Sequence, residues 1–158
     1  MKGLNLTFFL AAAAVAMTGC ATGGSASRGG KPVILIAAFG SSYETGQANL
    51  EDFDTAVRRA FPDHEVRWGF TASFIVNKLR NEGVTTLFES RVPVMKIDEV
   101  MKQLADEGKR DVLVVNFLIM PGGEYKEVMG TPTNGLNVKY VHSLLYYPEN
   151  VQNVVLAL

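Results

Sequence analysis

The sequence predicts an α/β domain, a parallel four-stranded sheet flanked by helices, and three observations predict it. The stretch "PVILIAAFG", residues 32–40, is apolar without alternation, the pattern of a strand covered on both faces rather than one. The stretch "VLVVNFLIM", residues 112–120, repeats that pattern. Between and after them, apolar residues recur at helical spacing, so strands and helices alternate as right-handed βαβ units require.

Each element has its own signal. The first strand ends at Gly40 and a polar loop, Ser41 to Gly46, follows. Leu50, Phe53, Val57 and Phe61 then share one helical face, with Glu51, Asp52, Arg58 and Arg59 opposite. "FPDH" ends that helix, and Glu65 to Phe70 reads as the second strand. Thr71 is placed to cap a helix that turns Phe74, Ile75 and Leu79 inward. A further helix from Val94 to Glu107 presents Ile97, Val100, Met101 and Leu104, and "DEGKRD" breaks it before the third strand. Asn137 to Leu145 is expected as the fourth strand. Pro148 then opens a last helix with Val151, Val154 and Val155 inward.

The chain divides into three parts. Residues 1–19 carry Lys2, an apolar run from Leu6 to Met17 and a small-residue site, Thr18-Gly19, before Cys20. This is an export signal, shorter than a membrane span. Its end resembles a bacterial lipoprotein signal, in which Cys20 becomes the lipidated first residue; a chance cysteine in a cleaved leader is the alternative. Residues 20–31 are Gly/Ser-rich and expected to be a flexible tether, and residues 32–158 form the folded domain. The protein is thus expected in the periplasm, anchored to a membrane by its lipid. Cys20 is the only cysteine, so no disulfide within the chain supports the fold. A net charge of −1 without a basic run gives nucleic-acid binding no support.

In such a sheet, ligands sit beyond the carboxyl ends of the strands. That rule collects Phe39 to Tyr43, Phe70 to Ser73 and Met120 to Tyr125. Pro121-Gly122-Gly123 reads as a sharp turn that holds Glu124 at the strand mouth. Glu124 is then either a carboxylate facing a ligand or a solvated loop glutamate. Of the two histidines, His64 reads as a solvated turn residue. His142, near the end of the fourth strand, is a ligand or base, or simply a hydrogen-bonded strand-end histidine.

Three segments, "KPVILIAAFGSSYETG", "FPDHEVRWGFTASFIVNKLRNEG" and "DVLVVNFLIMPGGEYKEV", together resemble the anaerobic cobaltochelatases of the CbiK type. The resemblance runs in order from Lys31 to Leu158. It implies a metal chelatase of the lyase class that inserts a divalent metal into sirohydrochlorin on the oxygen-independent route to cobalamin. Co²⁺ is the metal expected, with Fe²⁺ or Ni²⁺ as alternatives, and no organic cofactor is implied. Family members have two similar α/β halves facing a tetrapyrrole cleft, with two histidines and a glutamate around the metal. Gly122-Gly123-Glu124-Tyr125 matches the Gly-x-Glu-Tyr context of that glutamate, so Glu124 is implied as the catalytic, metal-facing carboxylate. Phe39, Gly40, Ser41, Ser42, Tyr43, Thr71 and Tyr125 are implied to cradle the macrocycle.

This sequence departs from the pattern in ways that bear on function. The resemblance covers the N-terminal half, whereas the family's metal-site histidines belong to the C-terminal half. A histidine frequent before the glycine turn is replaced by Leu118, and residues 129–145 match only loosely. His142 is the residue here that would substitute as a metal ligand. A homodimer or a separately encoded second half would complete the cleft. The competing expectations are a non-catalytic half that binds a tetrapyrrole or metal, and a truncated remnant.

Overall fold

A computed structural model describes residues 30–157. The expected export signal (1–19), Cys20 and nearly all of the tether lie outside the described residues. Strand β1 (Val33–Ala38) buries all six side chains. Helix α1 (Glu44–Ala60), strand β2 (Val66–Phe70) and helix α2 (Ser73–Asn81) follow. A short antiparallel pair, β3 (Thr86–Leu87) and β4 (Val92–Pro93), precedes α3 (Ile97–Asp106). Then come β5 (Asp111–Phe117), α4 (Gly123–Gly130), β6 (Asn137–Val141) and α5 (Pro148–Ala157).

The main sheet has the order β2-β1-β5-β6 and every pairing is parallel. Alternate residues of β1 serve the two faces. Ile34, Ile36 and Ala38 pack with α1, α2 and the β3–β4 pair; Val33, Leu35 and Ala37 pack with α3 and α4. Burying Leu35 and Ile36 completely stabilises the fold by about 2 kcal/mol each. The predicted α/β class and four-stranded parallel sheet are what the structure has.

Several element boundaries differ from expectation, each for a local reason. Helix α1 begins at Glu44, inside the segment expected as loop. Thr71 caps nothing: α2 follows Ala72 with no side-chain cap, and Thr71 is buried. Phe74 points outward, 67% exposed, because Ile75, Val76 and Leu79 already fill the inward face. The third helix starts at Ile97, because Val94 is used in the strand pair, where its N–H donates to the Thr85 carbonyl at 2.9 Å. Strand β5 stops at Phe117, three residues early, and β6 stops at Val141, so His142 lies just past it. The expected inward face of the last helix is not formed: Val151 and Val155 are exposed.

One buried carboxylate ties the α1 face together. Asp54, 2% exposed, accepts hydrogen bonds from Trp68 Nε1 (2.7 Å), Ser90 Oγ (2.6 Å) and Arg58 Nε (2.8 Å). It thereby joins α1, β2 and the loop after β3. Burial pushes its carboxyl up, but the hydrogen bonds from Arg58, Ser90 and Trp68, with the Arg58 charge, outweigh burial and hold it below the usual 3.8. On the opposite face, β2 and α3 meet at Gly69, where a Cβ would come within 2.7 Å of Ile97 Cα.

The folded-state value of Asp54 lies below the unfolded one, so its contribution is complete above 3.8 and is lost as pH falls through the folded value. Replacing Asp54 with Ala leaves the buried Trp68 N–H without an acceptor. The expected cost is about 2–3 kcal/mol, measured by urea unfolding at neutral pH. In Asp54→Asn, the part of the acid destabilisation that this carboxyl supplies should be absent.

Candidate functional site

The chain runs from β1 outward to β2, then crosses back over β1 to β5 on its other side. The crevice beyond β1 and β5 is therefore the topological switch point of the sheet, where open α/β folds bind ligands. An open cleft of about 880 Å³ occupies it. Ala38, Phe39 and Gly40 line it from the end of β1, Asn116 to Met120 from the end of β5, and Gly122 to Glu124 from the start of α4. His142 and Leu144 close it after β6, and Leu50 of α1 borders it.

Local chemistry explains the shape. Gly40 has φ +95° and lies against Phe70, whose Cδ1 would be 3.1 Å from an added Cβ; only glycine turns the chain here without strain. Phe117 stacks on Phe53 with centroids 4.0 Å apart, which fixes one wall. Beyond β5, the N–H groups of Leu144 and Leu145 donate to the carbonyls of Leu118 and Ile119 at 3.0 and 2.7 Å. Ile119 and Met120 are thus held out at the rim, 66% and 62% exposed.

Polar groups are few and concentrated. Asn116, 4% exposed, donates from Nδ2 to the Val141 carbonyl at 2.9 Å, just where β5–β6 backbone pairing ends. Its Oδ1 is buried without a partner, and so is Oε2 of Glu124. Glu124 stands in the first turn of α4, where the helix N-terminus favours negative charge. Leaving two acceptors unsatisfied in an apolar setting is costly.

His142 is gripped from several sides. Its Nδ1 is hydrogen-bonded to the Tyr125 hydroxyl, its ring stacks on Tyr146 at 3.9 Å, and Tyr147 meets it edge-on at 5.8 Å. Burial first, then the neighbouring Tyr146 and Tyr147, raises the Tyr125 phenol above its ordinary value, so it keeps its proton at neutral pH. In the tautomer whose Nδ1–H donates to the hydroxyl oxygen, the Nε2 lone pair is left for a ligand.

The structure brings together only part of what sequence assigned. Phe39, Gly40, Glu124 and His142 line the cleft. Tyr125 is buried behind His142 instead of facing the cleft. Glu124 is carried by a helix, α4, and not by a tight turn. Ser41, Ser42 and Tyr43 lie outside the cleft lining. Ser41 Oγ accepts the Tyr43 N–H at 3.1 Å, and Tyr43 is 73% exposed. Thr71 is buried and does not line the cleft, although its N–H donates to the carbonyl of cleft-lining Ala38 at 2.9 Å. Cys20 lies outside the described residues. Among the described residues, no group of three or more His, Cys, Asp or Glu could hold a metal ion. Sequence reasoning missed Asn116; its signal was a lone amide in the apolar run "VLVVNFLIM".

Tyr125→Phe removes the partner of His142 Nδ1 while keeping the ring stack. The ¹⁵N resonance of that nitrogen should move, and stability should fall by about 1 kcal/mol. An unchanged ¹⁵N spectrum would mean that the hydroxyl does not set the state of the ring.

Comparison with known proteins places this geometry. The cobalt chelatase (CbiK) family model matches residues 32–144, which include every cleft-lining segment. A sirohydrochlorin cobaltochelatase CbiKC of Nitratidesulfovibrio vulgaris is 34% identical over 102 residues, 63% of this chain and 32% of its own length. A sirohydrochlorin cobaltochelatase of Salmonella typhimurium is 27% identical over 101 residues, 63% of this chain and 35% of its own. The chain thus spans about a third of the length of the curated relatives it matches. With a matching family model over most of the described domain, and the parallel sheet and switch-point cleft to go with it, the chain belongs to the cobalt chelatase (CbiK) family.

Proposed function

We propose that this domain forms one half of a metal chelatase that inserts Co²⁺ into sirohydrochlorin, the substrate named for its relatives. The observation that carries the reading is the buried, unpartnered Oε2 of Glu124 at a largely apolar cleft on the switch-point edge. Phe39, Phe117, Ile119 and Leu144 suit the flat apolar body of a macrocycle. Insertion strips water from the ion, brings it to the ring and releases both pyrrole protons. A carboxylate serves this chemistry as a ligand for a borderline divalent ion or as a proton acceptor. His142, with Nε2 free and its ring immobilised, is the second group on the metal side. A second α/β half facing this one supplies the remaining ligands.

A second reading has an observation of its own. The described residues hold no three-ligand metal group, which suits a half-domain that carries a tetrapyrrole without metallating it. The placement proposed is periplasmic, with Cys20 lipidated and residues 20–31 as tether, on the strength of the leader's composition.

Glu124→Gln separates the two readings in an anaerobic optical titration of the purified protein with sirohydrochlorin and then Co²⁺. A chelatase should lose about a hundredfold or more in insertion rate while its affinity for the metal-free ring changes little. If the wild-type protein binds the ring but adds cobalt no faster than buffer does, the carrier reading stands instead. For the anchor, Cys20→Ser should move the protein from the membrane fraction to the soluble fraction; unchanged fractionation would remove lipidation from the proposal.

A further inference from the structure

We infer that Lys78, held beside the loop that leaves the cleft after Gly40, anchors a peripheral carboxylate of the bound macrocycle and so selects rings rich in such groups. The inference rests on the cleft being a tetrapyrrole site. The lining contains Glu124 but no lysine or arginine. A polycarboxylate ring placed there puts its apolar body in the slot and its anionic arms at the rim, where they need cations.

Lys78 is positioned for that task. Phe39, which lines the cleft, packs edge-on against Phe74 at 5.9 Å, and Lys78 lies one turn further along the same helix, α2. Its Nζ donates to Ser42 Oγ at 3.3 Å and stands 5.3 Å from the Tyr43 ring centroid. Both partners are neutral. They hold the ammonium in place, by a hydrogen bond and a cation–π contact, without cancelling its charge.

Lys78 forms no ion pair among the described residues, whereas Arg80 on the same helix is held bidentately by Glu99 at 2.7 and 3.1 Å. An unpaired, preorganised cation near a largely apolar cleft whose lining has a carboxylate but no lysine or arginine is what binding a polyanionic disc requires. Ser42 and Tyr43, which do not line the cleft, gain a role as the platform of this lysine.

The test compares wild type, Lys78→Ala, Lys78→Glu and Lys78→Arg of the full chain. Each is titrated optically with uroporphyrin, whose pyrroles all carry two carboxylate arms, and with mesoporphyrin, which carries far fewer. Lys78 is exposed, so circular dichroism should show all variants folded. At low salt, Lys78→Glu should weaken uroporphyrin binding about tenfold, Lys78→Ala less, and Lys78→Arg little. High salt should shrink the difference, and mesoporphyrin binding should change less. If wild type binds both rings and Lys78→Glu alters neither, or weakens both alike, the lysine inference is overturned and the cleft reading stands. If neither ring binds the wild type, both fail.

Discussion

The structure depends first on the need to cover strand β1 on both faces. A strand with all six side chains buried cannot lie at the surface, so neighbours must flank it and helices must cover both sides. Right-handed crossovers then place the carboxyl ends of all four strands on one edge. Because β2 and β5 pair with opposite sides of β1, a crevice opens beyond β1 and β5. The cleft is thus a consequence of how the chain covers its central strand.

Electrostatics divides this crevice into two zones. The slot itself is apolar except for a few groups, among them Asn116, Glu124 and His142, and those are fixed from behind by Val141, helix α4 and Tyr125. Towards α2, past Gly40, the loop of Ser42 and Tyr43 holds a charge of the opposite sign, Lys78. An apolar body flanked by anionic arms fits that division, with a carboxylate kept for the centre and a cation kept for the edge. The stabilising ion pairs lie elsewhere. Arg80 and Glu99 join α2 to α3, and Asp54 gathers Trp68, Ser90 and Arg58 under the aromatic cluster. The charges that hold the fold are thus separate from Glu124 and Lys78.

The comparison between expectation and structure follows the strength of each local signal. Long apolar runs and the amphipathic helix containing Ile97, Val100, Met101 and Leu104 were legible, because their periodicity is sustained. Helix α4 was not: it buries only Tyr125 and Val128, too few to establish a period against the turn signal of Pro121-Gly122-Gly123. The last helix was misread in the other direction. Val151 and Val155 have helical spacing, yet they remain exposed, since periodicity says which residues share a face and not what that face meets.

The candidate site divides along the same line. Sequence alone determined the α/β class, the edge at which the cleft opens and the prominence of Glu124. Those follow from hydrophobic patterning, from chirality and from a motif, all of which are written along the chain. Tertiary structure decided which residues meet there. It buried Thr71 one strand away from the cleft lining and put Tyr125 behind His142. It also brought in Asn116, whose amide spans two strands that are distant in sequence. Such placements depend on strand order and on hydrogen bonds between remote segments, and no local pattern in the chain encodes either.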